Sequence, residues 1–372
     1  MNSRERFLIA LNHREPDRVP IDLCGIQAGT ISPPALEGLR TRLGIPSLNN
    51  TPTRADDPLI RQIGADVKRV ALKSPEGVQA DETGRRRSKD EWGVVHATAE
   101  QAWVHVAIKE APLSRIGSTR EIENYPWPDP SDASRYAGLK ESARRFHREG
   151  FGVVVDTPLK LISLGMAMRG PEQFMADTTL NRPLLEYLMD KILDVLLELS
   201  RRLLEEVEEY ADVVAFGGDL PRQGSPPFFP DLYRRLLKPR HRTIMRFLRE
   251  HAGEAKVLYS CPGEAEPIMQ DLIELGMDAC NLAHASPGGR DETRSLKARY
   301  GRDLTIWGGI PADRMLSLAT PEEVKAEVRT QIEDLAPGGG FVLGPLHGIG
   351  PGVKPENIIA LYEAALEYGT YG

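Results

Sequence analysis

Cys261 closes a short apolar run, KVLYSC over residues 256–261, and is followed at once by Pro262-Gly263. That spacing puts a thiol at the carboxyl end of a strand, facing the turn into a helix, where α/β proteins carry their chemistry. His347 lies in Gly344-Pro345-Leu346-His347-Gly348, a context too rich in glycine and proline for a core histidine. Thiolate and imidazole are both zinc ligands. Asp219, after Gly217-Gly218, or Glu264 is available as an oxygen donor, so Cys261, His347 and Asp219 form a candidate metal set. Two ligands do not make a site, and each residue has a plainer reading. A lone cysteine is commonly a small buried apolar group, and an aspartate at a loop start commonly satisfies local backbone donors. His347, Tyr259 and Asp219 are the candidates for acid–base work. Gln27, Asp156, Asn281 and His284 stand at other strand ends and are the candidates for holding a cofactor. Asp156, just before Thr157-Pro158, also reads as the N-cap of the next helix. Cys24 and Cys280 are expected to pack, and Arg85-Arg86-Arg87 to form a solvated turn.

These residues need elements to position them. Apolar strand patterns occur at 18–24, 66–72, 151–155, 212–216, 256–260, 278–282, 304–307 and 341–343, with helical spacing between them. The longest helical pattern runs from Arg182 to Tyr210, with Leu185, Leu188, Met189, Ile192, Leu196, Leu199, Leu203 and Val207 on one face and Pro183 in the first turn. Eight strand–helix units in one chain predict a (β/α)8 TIM barrel. The alternative, an open doubly wound sheet, is disfavoured because no glycine-rich dinucleotide fingerprint follows any strand. Residues 78–113 break the rhythm with short alternating pieces, which predicts an antiparallel hairpin or meander inserted between strands two and three. The whole chain, 1–372, then reads as one domain carrying that insertion.

Composition narrows the function classes. Lys plus Arg total 47 against 54 Asp plus Glu, a formal charge of −7, with no long basic run to track phosphates, so nucleic acid is not an expected partner. The amino terminus lacks the apolar segment of a secretory signal and no window is apolar enough to span a membrane, so a cytoplasmic protein is expected. Three cysteines are too few for a disulfide framework in 372 residues.

The segment RERFLIALNHREPDRVPID, residues 4–22, resembles the amino-terminal signature of the uroporphyrinogen decarboxylase superfamily. So do Lys238-Pro239-Arg240, the Cys261 turn, Gly308-Gly309-Ile310, and Leu346-His347-Gly348-Ile349 followed by Pro355-Glu356-Asn357. The resemblance covers nearly the whole chain and implies a (β/α)8 barrel. One branch decarboxylates uroporphyrinogen without a cofactor; another moves methyl groups between a corrinoid, often on a separate small protein, and a thiol or other acceptor. The true decarboxylases carry arginines around a Gln-Ala-Gly turn, whereas here Ile26 and Thr30 flank Gln27-Ala28-Gly29. Without that charge-assisted clamp a substrate with many carboxylates loses its handle, although His347 matches the decarboxylases' late histidine. The zinc methyltransferases are similar around residues 212–219 and Cys261, but Tyr259 stands for their histidine and Leu346-His347 for their late cysteine region. The resemblance therefore implies a corrinoid-linked methyltransferase with a small-molecule methyl donor or acceptor, a corrinoid carrier protein as partner and zinc as a second cofactor. Zinc would hold a thiol substrate as thiolate; without it, Tyr259 and His347 would protonate an ether leaving group. The alternatives are a tetrapyrrole-acid decarboxylase and a non-catalytic binder of tetrapyrroles or corrinoids.

Overall fold

Short apolar runs, most of them rich in β-branched residues, build a parallel sheet. The computed structural model describes residues 1–46, 58–73, 87–97, 107–218, 230–261, 266–282 and 290–372. Strands β1 (Val67–Ala71), β5 (Gly152–Asp156), β6 (Val213–Gly217), β7 (Lys256–Cys261), β8 (Ala279–Leu282), β9 (Thr305–Ile310) and β10 (Phe341–Pro345) form one seven-stranded sheet in that order. Each neighbouring pair is parallel, so the sheet is an α/β layer of the kind that curls into a barrel.

The expected first strand, 18–24, is not a strand. Pro20 has no N–H to donate, and the segment makes only isolated bridges, Arg18 antiparallel to Thr370 and Ile21 parallel to Leu343. The segment nonetheless joins the two edges of the sheet. Leu343 N donates to Pro20 O at 2.9 Å and Asp22 N to Leu343 O at 2.8 Å, while Asp66 N, just before β1, donates to Ile21 O at 2.8 Å. A side chain completes the pairing, because Ile21 N donates to Asp66 Oδ2 at 2.8 Å. The fully buried Asp66 carboxylate also takes Arg6 Nη1 at 2.6 Å and Arg18 Nη1 at 2.7 Å. Residues 4–18 thus brace the closure with two guanidinium groups.

Side chains alternate between two packed regions. Val67, Val154, Val213, Ala215, Leu258, Ala279, Trp307 and Val342 point inward and pack with Ile26, while Phe7 and Leu11 of helix Ser3–Leu11 join that same cluster. Val155, Phe216, Tyr259, Cys261, Cys280 and Ile306 belong to the larger layer between the sheet and its helices. The helix Arg182–Val207 buries Leu185, Leu188, Met189, Ile192, Leu196, Leu199, Leu203 and Val207 in it, and Pro183 sits where helices tolerate it. None of the helices among the described residues is long and apolar enough to cross a membrane.

Between β1 and β5 lie three short strands, β2 (Arg87–Lys89), β3 (Val95–Ala97) and β4 (Ala107–Glu110), paired antiparallel in that order. Much of the expected 78–113 insertion, including residues 103–106, falls outside the described residues. The chain after β4 is pinned to the parallel sheet's helices. Buried Arg169 donates to Leu113 O at 2.5 Å and Ile116 O at 3.0 Å, and pairs with Asp177 at 2.6 Å.

Candidate functional site

The carboxyl end of the sheet interior gathers polar side chains in an otherwise apolar lumen. Asp22, fully buried just beyond the closing bridge, accepts Trp307 Nε1 at 2.8 Å and Gly25 N at 2.6 Å. A Cβ on Gly25 would lie 2.3 Å from Val67 Cγ2 and 2.5 Å from Asp22 Oδ1, so only glycine lets the backbone approach this carboxylate so closely. Burial pushes the Asp22 carboxyl up to about 6, against the opposing pull of Trp307, the Gly25 and Ile26 backbone donors and the charge of Arg69.

Asn281, fully buried on β8 opposite Trp307, donates Nδ2 to Trp307 O at 3.0 Å. Its Oδ1 finds no hydrogen-bond partner among the described residues. Gly308 takes up a φ of 121°, and a Cβ there would meet Leu346 Cδ2 at 2.6 Å and Asn281 Nδ2 at 3.2 Å. The glycine after Trp307 thus makes room for the amide beside it.

Arg69 shares the inward face of β1 with Val67. Its Nη1 reaches Asp156 Oδ2, at the end of β5, at 3.3 Å, and Lys160 Nζ reaches the same oxygen at 3.4 Å. Asp156 is not an N-cap. The next helix, Leu161–Arg169, begins later, with Lys160 at its N-cap position and no side-chain capping bond. Thr157 Oγ1 turns instead to Ala215 O at 2.8 Å, which leaves the Asp156 carboxylate to the two cations.

The other residues singled out by sequence lie apart. Gln27 is exposed on the single turn Gln27–Gly29. His347, in the loop after β10, pairs through Nε2 with Asp313 Oδ1 at 3.1 Å, and the Asp313 N–H also points at Nε2 at 3.3 Å. Tyr259 and Cys261 lie on the outward face of β7, in the helix layer. There the Tyr259 ring centroid is 5.3 Å from Phe216 and 5.4 Å from His241, and Tyr233 Oη lies 3.1 Å from His241 Nδ1. Burial brings the His241 imidazole down to about 3 and holds the Cys280 thiol well above its ordinary range. Cys24 and Cys280 are buried, and none of the three cysteines is in a disulfide. Asp219, Glu264 and His284 lie outside the described residues. Among the described residues no three His, Cys, Asp or Glu side chains are grouped to hold a metal ion.

Four residues of this constellation escape a sequence reading: Asp22, Arg69, Lys160 and Trp307. Val67-Lys68-Arg69 carries two adjacent cations, and only strand parity tells which faces inward. Lys68 points outward, its Nζ 4.4 Å from the Phe151 ring centroid, and so leaves Arg69 inside. The one available signal was Asp22 itself, an acid at the end of an apolar run.

The family model for uroporphyrinogen decarboxylase (URO-D) matches residues 110–368. Among curated proteins, the uroporphyrinogen decarboxylase of Thioalkalivibrio sulfidiphilus is 30% identical over 143 residues, 38% of each chain. That of Alkalilimnicola ehrlichii is 26% identical over 259 residues, 67% of this chain and 66% of the relative. The matches thus span less than two thirds of these relatives' own lengths. A solved methyltransferase from Methanosarcina mazei superposes with a TM-score of 0.67 at 18% identity, over 99% of both chains, a likeness of fold.

Proposed function

Because the chain belongs to the uroporphyrinogen decarboxylase family, we propose that it is an enzyme working at the carboxyl end of its curled sheet. In this reading it transfers a methyl group between a small molecule and a corrinoid carried by a partner protein. The observation that carries the reading is Ile26. It stands where the resemblance places a decarboxylase arginine, and it is fully buried against Val67, Val154 and Trp307 in the lumen. Thr30, at the second such position, donates its hydroxyl to Gln27 O at 2.9 Å. Neither supplies a guanidinium for a substrate with many carboxylates. The full-length likeness of fold to a methyltransferase supports the same direction.

When bound, the corrinoid supplies the cobalt that accepts or releases the methyl group. The chain's own residues do the rest. Trp307, Asn281 and Asp22 fix the floor with interlocked hydrogen bonds that leave Asn281 Oδ1 as a fixed acceptor, one that needs no reorganisation to meet a substrate donor. His347, oriented by Asp313, stands at the loop after β10 as the proton donor to a leaving oxygen or nitrogen. Tyr259, on the outward face, has no part in this step. The described residues do not fit a zinc site, since Cys261 faces the aromatic helix layer and no third ligand joins it among them. No step is assigned to zinc.

Decarboxylation of a tetrapyrrole acid is the second reading, favoured by the names of the curated relatives. One experiment separates the two: the purified protein is supplied with methylcobalamin and a panel of thiols and methyl ethers, and separately with uroporphyrinogen. Methyl transfer, seen as the cobalamin spectral change, is expected. Carbon dioxide release from uroporphyrinogen with no spectral change would sink the methyl-transfer reading.

A further inference from the structure

The lumen holds two cations on one carboxylate oxygen. Arg69 Nη1 and Lys160 Nζ share Asp156 Oδ2 at 3.3 and 3.4 Å, both longer than the distances usual for a charge-assisted bond. Among the described residues the Arg69 guanidinium donates through no other nitrogen and Lys160 Nζ has no other acceptor, so most of their side-chain N–H groups are uncommitted. The Arg69 and Lys160 side chains are 29% and 31% exposed while Asp156 is 7% exposed, so the carboxylate is enclosed and the cations are within reach of solvent. Lys160 also begins helix Leu161–Arg169, whose first turn has neither a capping side chain nor an acidic residue. The positive end of its dipole adds to the field at the same spot.

We propose that this cluster is a subsite for a single carboxylate of the small-molecule substrate, with Arg69 and Lys160 as its direct contacts and Asp156 as the positioning residue that holds them in place. The arriving carboxylate takes the unused Nη2 and Nε edge of Arg69 in a bidentate contact, the geometry a planar guanidinium favours, and Lys160 closes on its second oxygen. Asp156 neutralises one of the two cations, which leaves a charge surplus suited to one anionic group and not to many. The inference rests on the reading that the reaction occurs at this end of the sheet, and it narrows the substrate to a small carboxylic acid.

Direct binding tests it without any methyl transfer, so its failure and the failure of the methyltransferase reading are distinguishable. Calorimetric titration of the intact protein at constant ionic strength uses benzoate, neutral benzamide and inorganic phosphate as probes. Saturable benzoate binding at least 10-fold tighter than benzamide is expected. Arg69→Gln and Lys160→Gln each weaken it about 10-fold, while Arg246→Gln, on the exposed face of helix Lys238–His251, leaves it unchanged. Asp156→Asn removes the competing charge while its amide oxygen still accepts from both cations and positions them, so benzoate tightens several-fold, an outcome that a purely structural ion pair does not produce. Melting curves establish that each variant is folded, and Lys160→Gln, at a part-exposed position, carries the test if Arg69→Gln does not fold. Benzoate no tighter than benzamide, indifference to both cation variants, or binding of phosphate alone overturns the proposal.

Discussion

Trp307 Nε1 donates to Asp22 Oδ2 at 2.8 Å, joining positions 285 apart in the chain across the sheet interior. The indole is fully buried and also packs edge-on against Phe7, with ring centroids 5.4 Å apart. Trp307→Phe keeps most of the apolar volume but leaves a buried carboxylate short of one donor. The expected loss of unfolding free energy is about 2–3 kcal/mol at pH 7, shrinking near pH 5, where the Asp22 carboxyl is protonated. Urea unfolding at the two pH values checks both size and direction, and an equal loss at both would place the effect in packing alone.

Asp22 itself should show the sign of its environment. Its carboxyl titrates at about 6 when folded, against 3.8 for the ordinary group. Between those values the folded state holds a proton that the unfolded chain has released, so stability falls as pH rises through the window. The full effect is roughly 3 kcal/mol. Wild type compared with Asp22→Asn at pH 4 and pH 7 should therefore show the variant gaining about that much relative stability at the higher pH. A gap that stays constant between the two would refute the raised titration.

His241 acts in the opposite direction. Buried beside Tyr233, Phe216 and Tyr259, it is held neutral down to about 3 against an ordinary 6.5. Its contribution is present above pH 6.5 and is lost as pH falls through that window, because only the unfolded chain takes up the proton. The expected loss approaches roughly 5 kcal/mol when the window is fully crossed. His241→Phe should flatten the acid limb of the stability curve, read as a midpoint that drops less between pH 7 and pH 4 than in wild type.

Two backbone and charge features are expected to tolerate little change. Gly25→Ala forces its methyl against Val67 and Asp22, for an expected loss of about 1–3 kcal/mol. Asp66→Asn removes the carboxylate that faces Arg18 and one of the two that face Arg6, whose pair with Asp17 stays in place, with about 2–3 kcal/mol lost. Denaturant midpoints measure both, and a neutral outcome for Asp66→Asn would remove the brace from the account of closure.

The architecture was legible because most strands are apolar and end on or just before a glycine, a proline or an acid, as at Asp156, Gly217, Pro262, Pro311 and Pro345, which marks the length of the element whichever way its side chains point. Facing was not legible for the same reason. Tyr259 and Cys261 lie in Lys256–Cys261, a strand covered on both sides, where only Lys256 and Ser260 mark the opposite face and a shift of one position moves every side chain to the other layer. The strand spacing that suggested a thiol at the mouth fits an outward-facing thiol equally well. Asn281 could be read because amides are rare in strand interiors. Arg69 could not, since Lys68 beside it carries the same charge. The segment 18–24 looked like a strand because its side chains are apolar, but Pro20 withholds the donor a ladder needs, and an aspartate 45 positions away supplies an acceptor instead.

The join at Pro20–Asp22 sets an order on assembly during synthesis. Its partners are Asp66 and Leu343, one near the start of the chain and one near its end, so the ring cannot be completed until the ribosome has nearly finished. Until then β1 and the strands after it expose unpaired edges, the template on which nascent chains associate with one another. A long-range contact of this kind also slows the final folding step relative to the local strand–helix units. The charges of Arg6 and Arg18 find their partners, Asp17 and Asp66, within the earliest segment made, so the brace can form before the last strand arrives to complete the join.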